Sequence, residues 1–161
     1  MTNKTAPHHR DVPTRSRVLP HRLLRAAWAG HRALLWLSGG HIGLRRPRAD
    51  RPGLLRLRTL GRRSGQVRRA ILAYVEQGED ILVLAANGME ERPPSWWLNL
   101  QTTPDAIVDL PEGPRDVCAH EAVGDERERL WQRWLELDAG LDGRAASLRR
   151  RIPLVVLAPR P

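Results

Sequence analysis

Between Leu54 and Ala86 three apolar segments follow one another with gaps too short to hold a crossover. Parallel strands need a connection of about a dozen residues or more, usually helical, so Gly61–Gln66 and Glu76–Asp80 can join only antiparallel neighbours. The first segment, "LLRLRTL", alternates, with Leu55, Leu57 and Thr59 on one side and Arg56 and Arg58 on the other. "VRRAILAYV" (Val67–Val75) reads as its return strand and "ILVLAA" (Ile81–Ala86) as a third, buried one. "AIVDL" and "RDVCAHEAV" flank the turn "PEGP", and "IPLVVLAP" (Ile152–Pro159) supplies a sixth strand. Behind Pro93–Pro94, "PSWWLNLQ" reads as a short helix with proline at its N-terminal edge. "DERERLWQRWLEL" reads as a second, with Leu130, Trp134 and Leu137 on one face and Trp131 and Leu135 beside it. Asp125 and Glu128 have the spacing of an N-terminal capping pair. Six strands mostly adjacent in sequence, plus two or three helices, predict a small antiparallel barrel with flanking helices and argue against βαβ units.

The charge distribution bounds the partners. The net charge of +9 lies wholly in residues 1–52, which hold eleven basic side chains against two acids; residues 53–161 hold sixteen arginines against sixteen acids. A balanced body is not built to neutralise many phosphates, which argues against a nucleic-acid-binding domain. Residues 1–17 read as a disordered basic tail. Residues 18–52 read as an amphipathic helix, "LPHRLLRAAWAGHRALLWL", and the glycine- and proline-rich linker "SGGHIGLRRPRADRPG". That helix either packs on the body or lies on a membrane surface or partner. Residues 53–161 form the folded domain, at a length that needs no staples.

Cys118 is the sole cysteine, which excludes an internal disulfide; it suits a reducing compartment and reads as a small buried hydrophobe rather than a nucleophile. The N-terminus lacks a signal-peptide core, and no apolar run approaches the roughly 20 residues of a membrane span. These features read as a cytoplasmic protein whose only route to a membrane is the N-terminal helix. The histidines show no metal-ligand spacing, and a Gly-x-Ser-x-Gly elbow is missing.

The turn between the first two strands carries more chemistry than a hairpin requires. In "TLGRRSGQVRRAIL", Gly61 and Gly65 bracket Arg62, Arg63 and Ser64, and Arg68 and Arg69 open the return strand. Glycines let the backbone take positive φ and let a ligand approach closely, exposed amides in such a turn form an anion-binding nest, and guanidiniums add bidentate donors for phosphate or carboxylate. Walker spacing is missing. From the residues alone, an anionic small-molecule site and a merely solvated arginine-rich hairpin both remain open.

The ordered set "TLGRRSGQVRRAILAYV", "ILVLAANG", "PPSWWLNLQTTPDAIVDL", "DERERLWQRW" and "IPLVVLAP" resembles the deazaflavin-dependent nitroreductase family over roughly Leu54 to Pro159. The resemblance implies a six-stranded antiparallel split β-barrel of the flavin-reductase, FMN-binding type. It implies coenzyme F420, an 8-hydroxy-5-deazaflavin with a phosphate and an oligoglutamate tail, and hydride transfer from the reduced cofactor to a conjugated acceptor: a quinone, an enone or a biosynthetic intermediate. Carried over by position, Arg62, Arg63 and Ser64, with Gly65 closing the turn, would meet the phosphate and tail. Arg68, Arg69, Ala70, Ile71, Leu72 and Ala73 would run past the cofactor along the return strand. Leu84, Ala85, Ala86 and Asn87 would line the deazaflavin from the third strand's end. Ser95, Trp96, Trp97, Leu98 and Asn99 would face it from a helix start, where amides and dipole favour an anion; Trp96 and Trp97 have an equal claim as core aromatics. A homodimer is compatible with this reading.

This chain departs from the family where the acceptor would sit. "LDAGLDGRAASLRRR" has no tyrosine, and Asp138, Leu141 and Arg144 stand where tyrosines are expected; Ala86 replaces a serine and Ile71 a proline. Arg144 or Asp142 could supply polarity instead. The run Arg149–Arg151 reads as a solvated edge that could also reach an anionic substrate. Two alternatives compete: a split barrel that binds flavin, haem or lipid without redox turnover, and a peripheral membrane or nucleic-acid binder acting through residues 1–52.

Overall fold

The computed structural model describes residues 43–160, so the tail and the amphipathic helix expected before them lie outside the described residues. Among the described residues there are six strands: β1 (Gly53–Leu60), β2 (Val67–Gln77), β3 (Asp80–Leu84), β4 (Asp105–Leu110), β5 (Gly113–Glu121) and β6 (Leu154–Pro159). They close in the order β1-β2-β3-β6-β5-β4, with every pair antiparallel. Helix α1 (Ser95–Leu100) leads into β4, while α2 (Gly124–Leu135) and α3 (Leu141–Ala146) lie between β5 and β6. This is the antiparallel barrel the sequence predicts.

The alternation in β1 sorts its side chains as expected. Leu55, Leu57 and Thr59 are buried, and Arg56 and Arg58 lie between them on the outer face. Both arginines reach Asp109, their neighbour on β4, at 2.6 and 2.8 Å, so one nearly buried carboxylate ties the outer face of that seam. β3 and β6 are covered on both sides, and their residues divide between two cores. Ile81, Val83, Val155 and Leu157 fill the barrel with Leu55, Leu57, Tyr74, Trp96 and Trp97. Leu82, Leu154 and Val156 meet Leu130, Trp134 and Leu141 from α2 and α3.

Several details depart from the sequence reading. The third strand ends at Leu84, and Ala85–Asn87 pass into a 3₁₀ turn. No side chain caps α2, whose N-cap is Val123, so Asp125 and Glu128 form no capping pair. Helix α3 carried no clear periodic signal. Cys118 is exposed, not buried. Part of the expected linker is pinned to the barrel: Arg45 and Leu54 exchange both backbone hydrogen bonds, at 3.1 and 2.8 Å. No described helix is long and apolar enough to cross a membrane.

Tyr74, the single tyrosine, is fully buried in the barrel with its hydroxyl unpartnered. Burial pushes its pKa up to about 12, with Glu76 and Glu112 adding repulsion. The unfolded tyrosine titrates near ~10, so the native state holds this proton more tightly and the associated stability is lost as pH rises from about 10 to 12. Absorbance titration at the tyrosinate band reads this one residue. The expected midpoint is near 12 in the folded protein and near ~10 in urea. A native midpoint near the urea value would place the ring in solvent.

Candidate functional site

The hydrogen-bonded ladder of the barrel has an opening beside β2. β1 pairs with β2 along its whole length, from Gly53↔Tyr74 to Leu60↔Val67, but β3 pairs only with Tyr74–Gln77. The first half of β2 therefore has a ladder partner on one side only. In an antiparallel ladder alternate residues turn N–H and C=O away from the neighbour, so this edge presents unpaired polar backbone to the opening. Register fixes the faces. Arg68, Ala70 and Leu72 oppose the inward residues Thr59, Leu57 and Leu55, whereas Arg69 and Ile71 oppose the outward Arg58 and Arg56. Ala70 and Leu72 border the core yet are only half-buried, and Ala73 is exposed.

The β1–β2 turn stands at one end of this opening. Gly65 takes φ +65°, and its N–H donates to Gly61 O at 2.7 Å. A Cβ on Gly61 would lie 2.9 Å from Ser64 Oγ and 3.0 Å from Gln66 O, so the turn closes too tightly for a side chain there. The arginines divide by role rather than forming one cluster of four. Arg62 turns inward: its backbone N–H and its guanidinium both donate to Asn99 Oδ1, each at 3.2 Å. Asn99 Nδ2 in turn donates to Thr59 Oγ1 at 3.1 Å, and both Asn99 and Thr59 are 3% exposed. A buried amide thus locks the turn onto α1. Arg68 donates to Ser64 Oγ at 3.1 Å across the turn. Arg63 and Arg69 are exposed, and among the described residues their guanidiniums have no hydrogen-bond or ion-pair partner.

The remaining candidates border the same end of the barrel. Trp96 and Trp97 pack edge-to-face, with ring centroids 6.5 Å apart, inside the barrel core, while Ser95 is exposed and Leu98 half-buried. The N–H groups of Trp97 and Leu98 donate to Pro94 O, which leaves the Ser95 and Trp96 amides without an intrahelical acceptor. Ala85 is fully buried; Leu84, Ala86 and Asn87 are half-buried. On the side where tyrosines were expected, Leu141 is buried, Arg144 pairs with Asp138, and Asp142 accepts from Trp131 Nε1 at 2.6 Å. The polar residues that could have replaced those tyrosines are engaged with neighbours.

Two residues escaped the sequence reading. Thr59 was visible only as the last inward position of β1. Arg150, in a run of three arginines read as solvated, instead donates to Ala85 O, Ala86 O and Glu90 O at 3.1, 2.8 and 2.9 Å. A run of like charges carries no periodic mark of which member turns inward.

An antiparallel barrel whose β2 is unpaired along half its length, with a guanidinium-bearing glycine turn beside it, is a split-barrel fold of the FMN-binding type. The chain belongs to the F420H(2)-dependent quinone reductase family, which matches residues 31–159, and it is an oxidoreductase that uses coenzyme F420. It is 34% identical over 135 residues to the F420H(2)-dependent quinone reductase Rv1261c of Mycobacterium tuberculosis, covering 81% of this chain and 88% of that one. Among solved structures it resembles an F420-H2 dependent reductase (FDR-A) at 28% identity, TM-score 0.60, covering 67% of this chain and 95% of that one. It also resembles a chain described as a domain-swapped dimer, at 25% identity and TM-score 0.62, covering 83% and 98%.

Proposed function

We propose that this chain reduces a quinone-type acceptor with the cofactor lying along the open half of β2 and its anionic tail on the Gly61–Gly65 turn. The observation that carries this reading is the coincidence of the unpaired β2 edge with the exposed guanidinium of Arg63 on the adjoining turn, which has no partner among the described residues. Phosphate and glutamate carboxylates match guanidinium geometry. The amides of Gly61, Arg62, Ser64, Gly65 and Gln66 already donate within the protein, so what the turn offers an anion is the side chain and backbone N–H of Arg63. Reduced deazaflavin, when bound, supplies a hydride. The protein's own part is to bind, orient and exclude water. Ala70 and Leu72 offer a flat apolar strip, the backbone edge of β2 offers donors and acceptors, and the lock of Asn99 on Arg62 fixes the turn before the ligand arrives.

The proton that accompanies the hydride comes from solvent through the opening. Tyr74 is unsuited to donate it, being sealed in the barrel with a pKa near 12, and Asp142 is bound to Trp131. An apolar acceptor suits the exposed Leu60 and Val67 at the neck of the turn. The same pair suits a homodimer contact, a reading supported by the dimeric structural relative.

Titrating purified protein into F420 tests the cofactor reading: saturable change in cofactor fluorescence at micromolar protein is expected, and a flat trace would refute it. Following loss of F420H2 absorbance with quinones, enones and nitro compounds then ranks acceptors, with quinones expected to turn over fastest.

A further inference from the structure

Three consecutive residues after β3 adopt left-handed backbone: Asn87 at φ 51°, Gly88 at 66° and Met89 at 64°. Glycine does this freely and asparagine readily, but a methionine there is strained. Such strain persists only where the surroundings over-determine the conformation. Little within the loop does so: Met89 N–H donates to Ala86 O, Glu90 N–H to Asn87 O, and the Asn87 side-chain amide to Glu90 and Arg92.

The missing constraint comes from the α3–β6 connection. Arg150 spreads its guanidinium over the carbonyls of Ala85, Ala86 and Glu90, one before the left-handed turn, one at its start and one after it. The adjacent Arg149 N–H donates to Glu91 Oε1 at 3.0 Å, a second tie between the same two segments. A planar fork with several donors can hold three carbonyls in one geometry, which the point charge of a lysine cannot.

We propose that Arg150 is a positioning residue for the cofactor site: it straps the Ala85–Arg92 loop into the shape that receives the deazaflavin, acting through backbone carbonyls without touching the ligand. This rests on the reading that the cofactor lies in the β2 opening, which residues 84–87 border.

The test uses the full chain with two measurements. Amide exchange of the free protein reads the strap, and F420 titration reads its consequence. In Arg150→Met, exchange at Met89 and Glu90 is expected to rise at least tenfold while β6 amides of Val155–Leu157 stay within twofold of wild type. The F420 dissociation constant is expected to rise at least tenfold. Arg150→Lys should recover only part of each loss. If Arg150→Met does not fold, Glu91→Ala removes the second tie alone and should give smaller changes in the same direction, about threefold. Unchanged exchange overturns the strap, and faster exchange with unchanged F420 affinity overturns the positioning role. If wild-type protein fails to bind F420 at all, the cofactor reading falls and takes the positioning role with it, while the exchange data still decide whether Arg150 holds the loop.

Discussion

Asn99→Ala is expected to lower unfolding free energy by about 2–4 kcal/mol, read as a shift of the urea midpoint, and to weaken F420 binding as well. The magnitude follows from what one buried amide does. Its Oδ1 accepts twice from Arg62 and its Nδ2 donates to Thr59, in a place where both Asn99 and Thr59 are 3% exposed. A hydrogen bond to a charged group contributes about 1.5–3 kcal/mol and a neutral one about 1, and at the buried Asn99–Thr59 bond no water can replace the lost partner. Two variants separate the halves. Asn99→Asp keeps an acceptor for Arg62 and loses the donor to Thr59, so it should recover about half the loss. Thr59→Val removes only the neutral bond and should cost about 1 kcal/mol. In a double-mutant cycle Asn99 and Arg62 should couple by at least ~1 kcal/mol. Additive losses would mean that the turn is held by its ladder alone, through Gly61 N–H on Gln66 O and Gly65 N–H on Gly61 O.

The contrast between what the chain shows in sequence and what it hides has a physical basis. Strand identity was legible because period-two alternation is a local property: β1 announces its inward leucines and outward arginines without reference to any partner. Antiparallel order for β1–β3 was legible from gap length. The barrel's opening was not, because it depends on where β3 stops pairing with β2, and Leu72–Ala73 look no different in sequence from Tyr74–Val75. The turn's charge was legible, but its division of labour was not. Arg62 and Arg63 are chemically identical neighbours, and only the packing of α1 against β1 brings Asn99 to one of them. Arg150 was hidden by the same degeneracy within its run. Asn99 illustrates the converse, since its place in the family pattern marked it as a site residue while its three hydrogen bonds give it a prior duty to the fold.

That division of labour predicts different failures for the two turn arginines. Arg63 is exposed with no partner among the described residues, so Arg63→Ala should leave stability within about 0.5 kcal/mol of wild type. Its F420 affinity should nevertheless fall by about 1.5–3 kcal/mol, roughly 10- to 150-fold, because a charge-assisted contact to the anionic tail is lost. Arg62→Ala strikes the lock instead: it should lower stability together with affinity, since the turn loses its tie to Asn99 before any ligand is present. The double variant should lose about 2–4 kcal/mol of affinity. A deazaflavin lacking phosphate and glutamates should be nearly insensitive to Arg63→Ala, and raising salt should erode wild-type affinity for the tailed cofactor more than that of the variant. Equal sensitivity of tailed and tailless cofactors would place the anionic tail somewhere other than this turn, leaving Arg69 and the outer face of β2 as the basic surface to probe next.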